Sequence, residues 1–348
     1  MKNNRAKTWM RMKKDWRLYT FLLIPLIYVI VFKYVPMGGI VIAFKDYKMR
    51  LGIWGSEWVG LEHFVRFFNS YQFKRVVSNT VILSFYSIVA GFPLPVIFAL
   101  MINSVRNARF KKITQSIACL PHFISTVVLV GIVFQIFNNR IGLYGILGEL
   151  ITGKYPSDIM GSPSVFRHMY VWSGIWQGFG WSSIIYTASL AGVDPSYHEA
   201  AQIDGATRLQ RIIYIDLPSI LPTIITMLIL RMGSVMSIGF EKTYLMQNTL
   251  NMSASEVIST YSYSVGLAGG ANTNMSYATA IGIFNSVVNL LLLVLVNKIS
   301  RKVVDATKLD SYHDAFGVWA YKTPSDGSEV NVMNNYEVEN IDSAWVYA

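Results

Sequence analysis

The chain has 348 residues, of which 53% are AVILMFWYC and only 14% are charged, with a mean hydropathy of +0.38. An ordinary soluble domain carries roughly 25% charge, so these values exclude a soluble enzyme and a disordered chain and point to a polytopic, all-α membrane protein. The net charge of +10 is uneven, because residues 305–348 hold eight acids and two bases. The basic remainder flanks apolar runs, which makes membrane lipid the expected partner and leaves no role for nucleic acid. A single cysteine, Cys119, excludes an intramolecular disulfide and any cysteine metal cluster.

In chain order, a basic N-terminus (1–17) carries Lys2, Arg5, Lys7, Arg11, Lys13, Lys14 and Arg17. A bilayer core takes about 20 apolar residues per helix, and six stretches qualify: Leu18–Ile42, Asn79–Ile102, Ile113–Phe137, His168–Ala191, Ser219–Phe240 and Tyr277–Asn297. Lys33, Pro36 and Gly38-Gly39 interrupt the first, so a broken apolar continuation along the outer surface stands beside a straight span. With a cytoplasmic N-terminus, the inner segments hold 17 bases in 65 residues and the outer loops 43–78, 138–167 and 241–276 hold 10 in 102. The excess of Lys and Arg marks the cytoplasmic side, so both termini are expected there. The acidic tail 304–348 is expected to be a largely disordered cytoplasmic extension.

The cytoplasmic segment 192–218 is the most structured of the loops. Asp194 is a good N-cap with Pro195 at the first helical position, and Gly205 suits a left-handed stop. Thr207 and Gln210 have the spacing of a capping box, and Pro218 and Pro222 are expected to reset the chain into the fifth span. Two short helices with a hinge make an elbow, suited either to docking in a groove of another protein or to lying on the membrane.

Glu199-Ala200-Ala201, Asp204-Gly205-Ala206 and Leu217-Pro218, in this order and spacing, resemble the EAA loop of ABC-importer permeases. Ile212 departs from a family position that is usually aromatic. The resemblance covers about 15–303. Segments similar to the sugar and polysaccharide-importer branch include Leu120-Pro121-His122-Phe123-Ile124-Ser125, Gly239-Phe240-Glu241-Lys242 and Phe284-Asn285-Ser286. It implies the type I ABC-importer permease fold over 18–303, in the cell membrane of a bacterium. It also implies a heterodimer with a second permease subunit, two ATPase subunits that dock on the elbow, and an extracytoplasmic solute-binding protein that meets the outer loops. No GxxxxGK[ST] occurs, so the chain is expected to bind no cofactor and to catalyse nothing. ATP and Mg belong to the partner ATPase.

The substrate path is weighed on fewer signs. Trp176, Gln177 and Trp181 in the fourth span suit a sugar, through stacking faces and an amide, and equally suit aromatic packing. Arg231 lies mid-span, where a charge is costly; it either pairs structurally or meets the substrate, and in the second case an acidic sugar fits better than a neutral one. Asn285 and Asn289, one helical turn apart, serve as interhelical glue or line the path. The scattered histidines have no metal-ligand spacing. The expected activity is import of a carbohydrate, with an oligosaccharide favoured. An ABC permease for another solute and a stand-alone secondary transporter are the alternatives, the second weakened by the lack of an intramembrane carboxylate.

Overall fold

The computed structural model describes Lys14 and residues 16–233, 235, 238–270, 273–309, 312–313 and 319–320. The basic residues before Lys14 and almost all of the acidic tail beyond Leu309 therefore lie outside the described residues. The chain divides into two compact units, residues 1–73 with 261–284, and residues 74–260 with 285–348.

In the first unit, α1 (Trp16–Val29) runs on through a π-helical turn at Ile30–Tyr34 and Val35–Met37 into a 3-10 segment at Gly38–Phe44. The breakers seen in the sequence change the winding without ending the helix. Pro36 lacks a donor and crowds the preceding turn, and the wider π turn before it relieves that crowding. Strands β1 (Lys45–Asp46) and β2 (Glu57–Trp58) pair antiparallel. Lys45 ties the intervening turn by donating from Nζ to the carbonyls of Ile53 (2.8 Å) and Ser56 (3.3 Å). The core of this unit is aromatic. Phe67, in α2 (Glu62–Phe68), meets Phe73, Phe284, Tyr277 and Tyr261 at centroid distances of 5.1–6.4 Å, mostly in the edge-to-face geometry that ring quadrupoles favour.

The second unit is built on α3 (Tyr71–Gly91, from Lys74 onward), α4 (Pro93–Asn103), α5 (Ala108–Cys119), α6 (Thr126–Ile136), α7 (Leu143–Thr152) and α8 (Pro163–Leu190). It continues with α9 (Pro195–Ile203), α10 (Arg208–Arg211), α11 (Leu217–Met232), α12 (Phe240–Met246) and the later part of α13 (Met275–Leu309). The central element is α8. Its buried Phe166, Tyr170 and Val171 join Leu83, Val130, Met246 and Val257 in one cluster. Tyr186 and Leu190, further along, join Val96, Ala99, Leu100 and Ile220 in another. A Cβ on Gly180 would sit 2.0 Å from the Ala118 carbonyl oxygen, so the absence of a side chain lets α5 and α8 touch backbone to backbone.

Among the described residues, four helices are long and apolar enough to cross a membrane: Thr20–Phe44, Tyr71–Asn103, Arg208–Met232 and Met275–Lys298. A fifth arises if Ala108–Phe123 and Thr126–Ile136 count as one. The stretch expected as one span over Ile113–Phe137 is thus bent by 98°. Pro121 starts the break, and Ser125 caps the new helix by accepting from Val128 N–H. The expected span His168–Ala191 falls on α8, long enough at 28 residues but less apolar, with Ser173, Gln177, Ser182 and Ser183 along it.

Candidate functional site

Two sites take shape in the second unit. The first is the elbow. Asp194 Oδ1 accepts from Ser196 N–H at 2.9 Å with Pro195 at the first position of α9, and that backbone bond holds the Asp194 carboxyl below its ordinary range. At the other end of α9, Gly205 takes φ +76°, and Ala206 N–H donates to Ala201 at 2.8 Å. A residue with a Cβ disfavours this conformation. Thr207 and Gln210 form the capping box reciprocally. Pro218 and Pro222 do not reset the chain as expected. A π turn at Ile212–Asp216 precedes Leu217-Pro218, and the helix is continuous from Arg208 to Met232. The π turn already alters the hydrogen-bond ladder where Pro218 supplies no donor.

One residue that the sequence reading passed over anchors the elbow. Asp216, 3% exposed, accepts from Asn103 Nδ2 at the end of α4 and lies against His198 Nε2 of α9, both at 3.3 Å. The signal was a lone acid in the apolar run Ile212-Ile213-Tyr214-Ile215-Asp216-Leu217, since a buried carboxylate needs partners. Ala201, on the same face of α9 one turn beyond His198, is buried. Glu199 and Ala200 are exposed, and the Glu199 side chain makes no polar contact among the described residues. Asp204 is exposed, while Leu217 packs on the Tyr186–Leu190 cluster.

The second site is a cavity of about 410 Å³ between α3, α4, α8, α11 and the start of α12. Gln177, Arg231, Tyr170, Tyr186, Ser87 and Lys242 are among its lining residues. Gln177 donates from Nε2 to the Ile124 carbonyl at 2.8 Å, satisfying an oxygen exposed where the α5–α6 helix breaks, and its own carbonyl oxygen remains. Lys242, 8% exposed, donates from Nζ to the Tyr170 carbonyl at 2.7 Å and stands 4.7 Å from the Tyr170 ring. It forms no ion pair among the described residues.

The structure groups only Gln177 and Arg231 of the six path candidates in this cavity. Trp176 faces a separate apolar groove with Trp172 and Phe137. Trp181 stacks on His122 at 4.6 Å with an interplanar angle of 4°. Asn285 and Asn289 on α13 are not among the lining residues, and Asn285 Oδ1 is shielded and has no hydrogen-bond partner among the described residues. Lys242 was missed because it follows a span expected to end at Phe240; the adjacent Glu241 is exposed. Among the described residues no group of three His, Cys, Asp or Glu could hold a metal.

Residues 75–305 match the family described as binding-protein-dependent transport system inner membrane component. Protein LplB of Bacillus subtilis is 43% identical over 85% of this chain and 92% of its own length. The polygalacturonan/rhamnogalacturonan transport system permease protein YteP of the same organism is 41% identical over 86% and 92%. Among solved structures, a chain of a bacterial ABC transporter involved in the import of the acidic polysaccharide alginate superposes with a TM-score of 0.77. It is 39% identical over 85% of this chain and 99% of that one. That transporter is also known in complex with an alginate pentasaccharide-bound periplasmic protein, with the same TM-score.

Proposed function

Because the chain belongs to the inner-membrane components of binding-protein-dependent transport systems, a family of non-catalytic sugar and polysaccharide permeases in its near relatives, we propose that it forms half of the translocation path for an acidic oligosaccharide. The permease domain spans 18–303 as six membrane helices with both ends in the cytoplasm, and the tail 304–348 is dispensable for transport. A second, non-identical permease completes the path. An extracytoplasmic binding protein delivers the substrate to the outer loops, and two ATPase subunits using ATP and Mg grip the elbow. Glu199, exposed and without a polar partner among the described residues, offers its carboxylate to such a subunit, and Gly205 sets the angle of the elbow.

The observation that carries the substrate class is the pair of cations, Arg231 and Lys242, lining one cavity. A buried ammonium with a single hydrogen bond is costly unless an anion meets it. A uronate carboxylate is such an anion, while Tyr170 and Tyr186 offer faces to the sugar ring and Gln177 an acceptor to its hydroxyls. In cells carrying the complete transporter, uptake of labelled acidic oligosaccharides is compared with uptake of neutral ones. Lys242→Met is expected to lower uptake of the acidic substrate about tenfold, the value of one charge-assisted hydrogen bond, while Lys242→Arg keeps most of it. Equal uptake of both sugars, indifferent to Lys242→Met, would remove the acidic substrate and leave the permease assignment standing.

A further inference from the structure

The base of the elbow holds a second polar cavity, of about 360 Å³, which no part of the transport reading uses. Arg106, from the turn after α4, and Arg208 and Arg211, of α10, line it together with Ser104, His198 and Asp216. Asp216 is the one acid in this lining; its carboxylate is engaged by Asn103 and His198 and also attracts Arg211, so one carboxylate stands against three guanidinium groups. Arg106 and Arg208 have no ion pair or hydrogen bond among the described residues, and Arg211 Nε is shielded from solvent without a partner. Three guanidinium groups around one cavity repel one another. A shielded donor without an acceptor adds a desolvation penalty. Both are relieved by the same occupant. Guanidinium forks match the oxygens of a tetrahedral oxyanion, and the cavity is many times the roughly 30 Å³ share of one water molecule.

We propose that this cavity binds a phosphate-type oxyanion, which ties the turn after α4 to the elbow. Dissolved phosphate and the headgroup of an anionic lipid share the chemistry, and the test separates them. The full-length chain, purified with its partner subunits, is titrated with inorganic phosphate against chloride at equal ionic strength. It is also placed in nanodiscs of phosphatidylcholine with and without phosphatidylglycerol. The thermal midpoint of the complex reports binding, because a ligand that prefers the folded state raises it. Arg208→Gln combined with Arg211→Gln is expected to weaken the apparent phosphate affinity at least about tenfold for each charge-assisted hydrogen bond removed. Arg106→Gln, on a different segment, is expected to do the same, and Arg109→Gln, outside the cavity, to leave it unchanged. A response to phosphate assigns the site to a soluble anion, and a response to phosphatidylglycerol alone assigns it to lipid. No response to either, or responses that survive in the cavity variants, would overturn the proposal. So would loss of the ATPase subunit from the cavity variants with no anion response in the wild type, since the cavity would then be a protein docking surface.

Discussion

The elbow and the cavity around Arg231 lie in the same unit but hold their residues by opposite means. The elbow takes its shape from rules that act within a few residues, the Asp194 cap, the Thr207–Gln210 box and the positive φ of Gly205, and Asp216 then ties it to α4. The cavity has no local rule. Ser87, Gln177, Arg231 and Lys242 come together only because α3, α8, α11 and α12 present particular faces to one another. A change in the elbow should therefore act on geometry with the bundle intact, whereas a change in the cavity should act on the solute with the elbow intact.

The strongest test of that separation is Gly205→Val. A left-handed backbone costs a residue with a Cβ about 1–2 kcal/mol, enough to lower uptake per permease about tenfold. The thermal midpoint of the purified bundle should barely move. A collapse of the midpoint would mean that the elbow and the bundle fold as one.

Asp216→Ala comes next. It strips His198 and Asn103 of their shared acceptor, and the expected loss is about 2–3 kcal/mol of stability, read from chemical denaturation and from protease cleavage of the elbow. Asp216→Asn, which keeps an acceptor oxygen, should lose less than half as much. Equal losses would show that the charge, and not the hydrogen bonds, holds the elbow.

Within the cavity, Gln177→Ala should lower uptake about threefold to tenfold, the value of a neutral hydrogen bond. Trp176→Ala, one residue earlier but facing another groove, should stay within about twofold. Equal losses would mean that the path runs along the Trp176 face.

The smallest effect is acid-dependent. Because the Ser196 N–H lowers the Asp194 carboxyl below its ordinary 3.8, its contribution is present above that value and fades as pH falls through the lower folded value. Asp194→Asn keeps the cap and should remove only that acid-side loosening, followed by hydrogen exchange of the elbow amides. Identical acid profiles would remove Asp194 as the cause.

The same division explains what could be read from the residues. Asp194, Pro195, Gly205, Thr207 and Gln210 were legible because capping and left-handed turns depend on nearest neighbours. The apolar runs were legible because a bilayer imposes length and composition. Helix rotation was not, so Gln177 and Arg231 share the cavity while Trp176 and Trp181 face elsewhere. Lys242 escaped because a base beside an apolar run looks like a boundary marker, and only packing against Tyr170 turns it inward. The bend in the third apolar stretch was not legible because hydropathy registers composition and not direction, although Pro121 and Ser125 flank the break and Gln177, distant in sequence, satisfies its free carbonyl.

The π turn at Ile212–Asp216 sets the angular phase of everything beyond it. One surplus residue in a helix displaces the following side chains by about 100° around the axis, since an α-helix has 3.6 residues per turn. The azimuth at which Arg231 leaves α11 is therefore fixed some four turns upstream, beside the elbow. Losing one residue there while the π turn closes to an α turn would keep that azimuth, whereas gaining one would turn the cavity-facing side of α11 by about 100°. An insertion near this junction would thus change which side chains line the cavity, unlike the neutral length variation that a solvent-facing connection ordinarily tolerates.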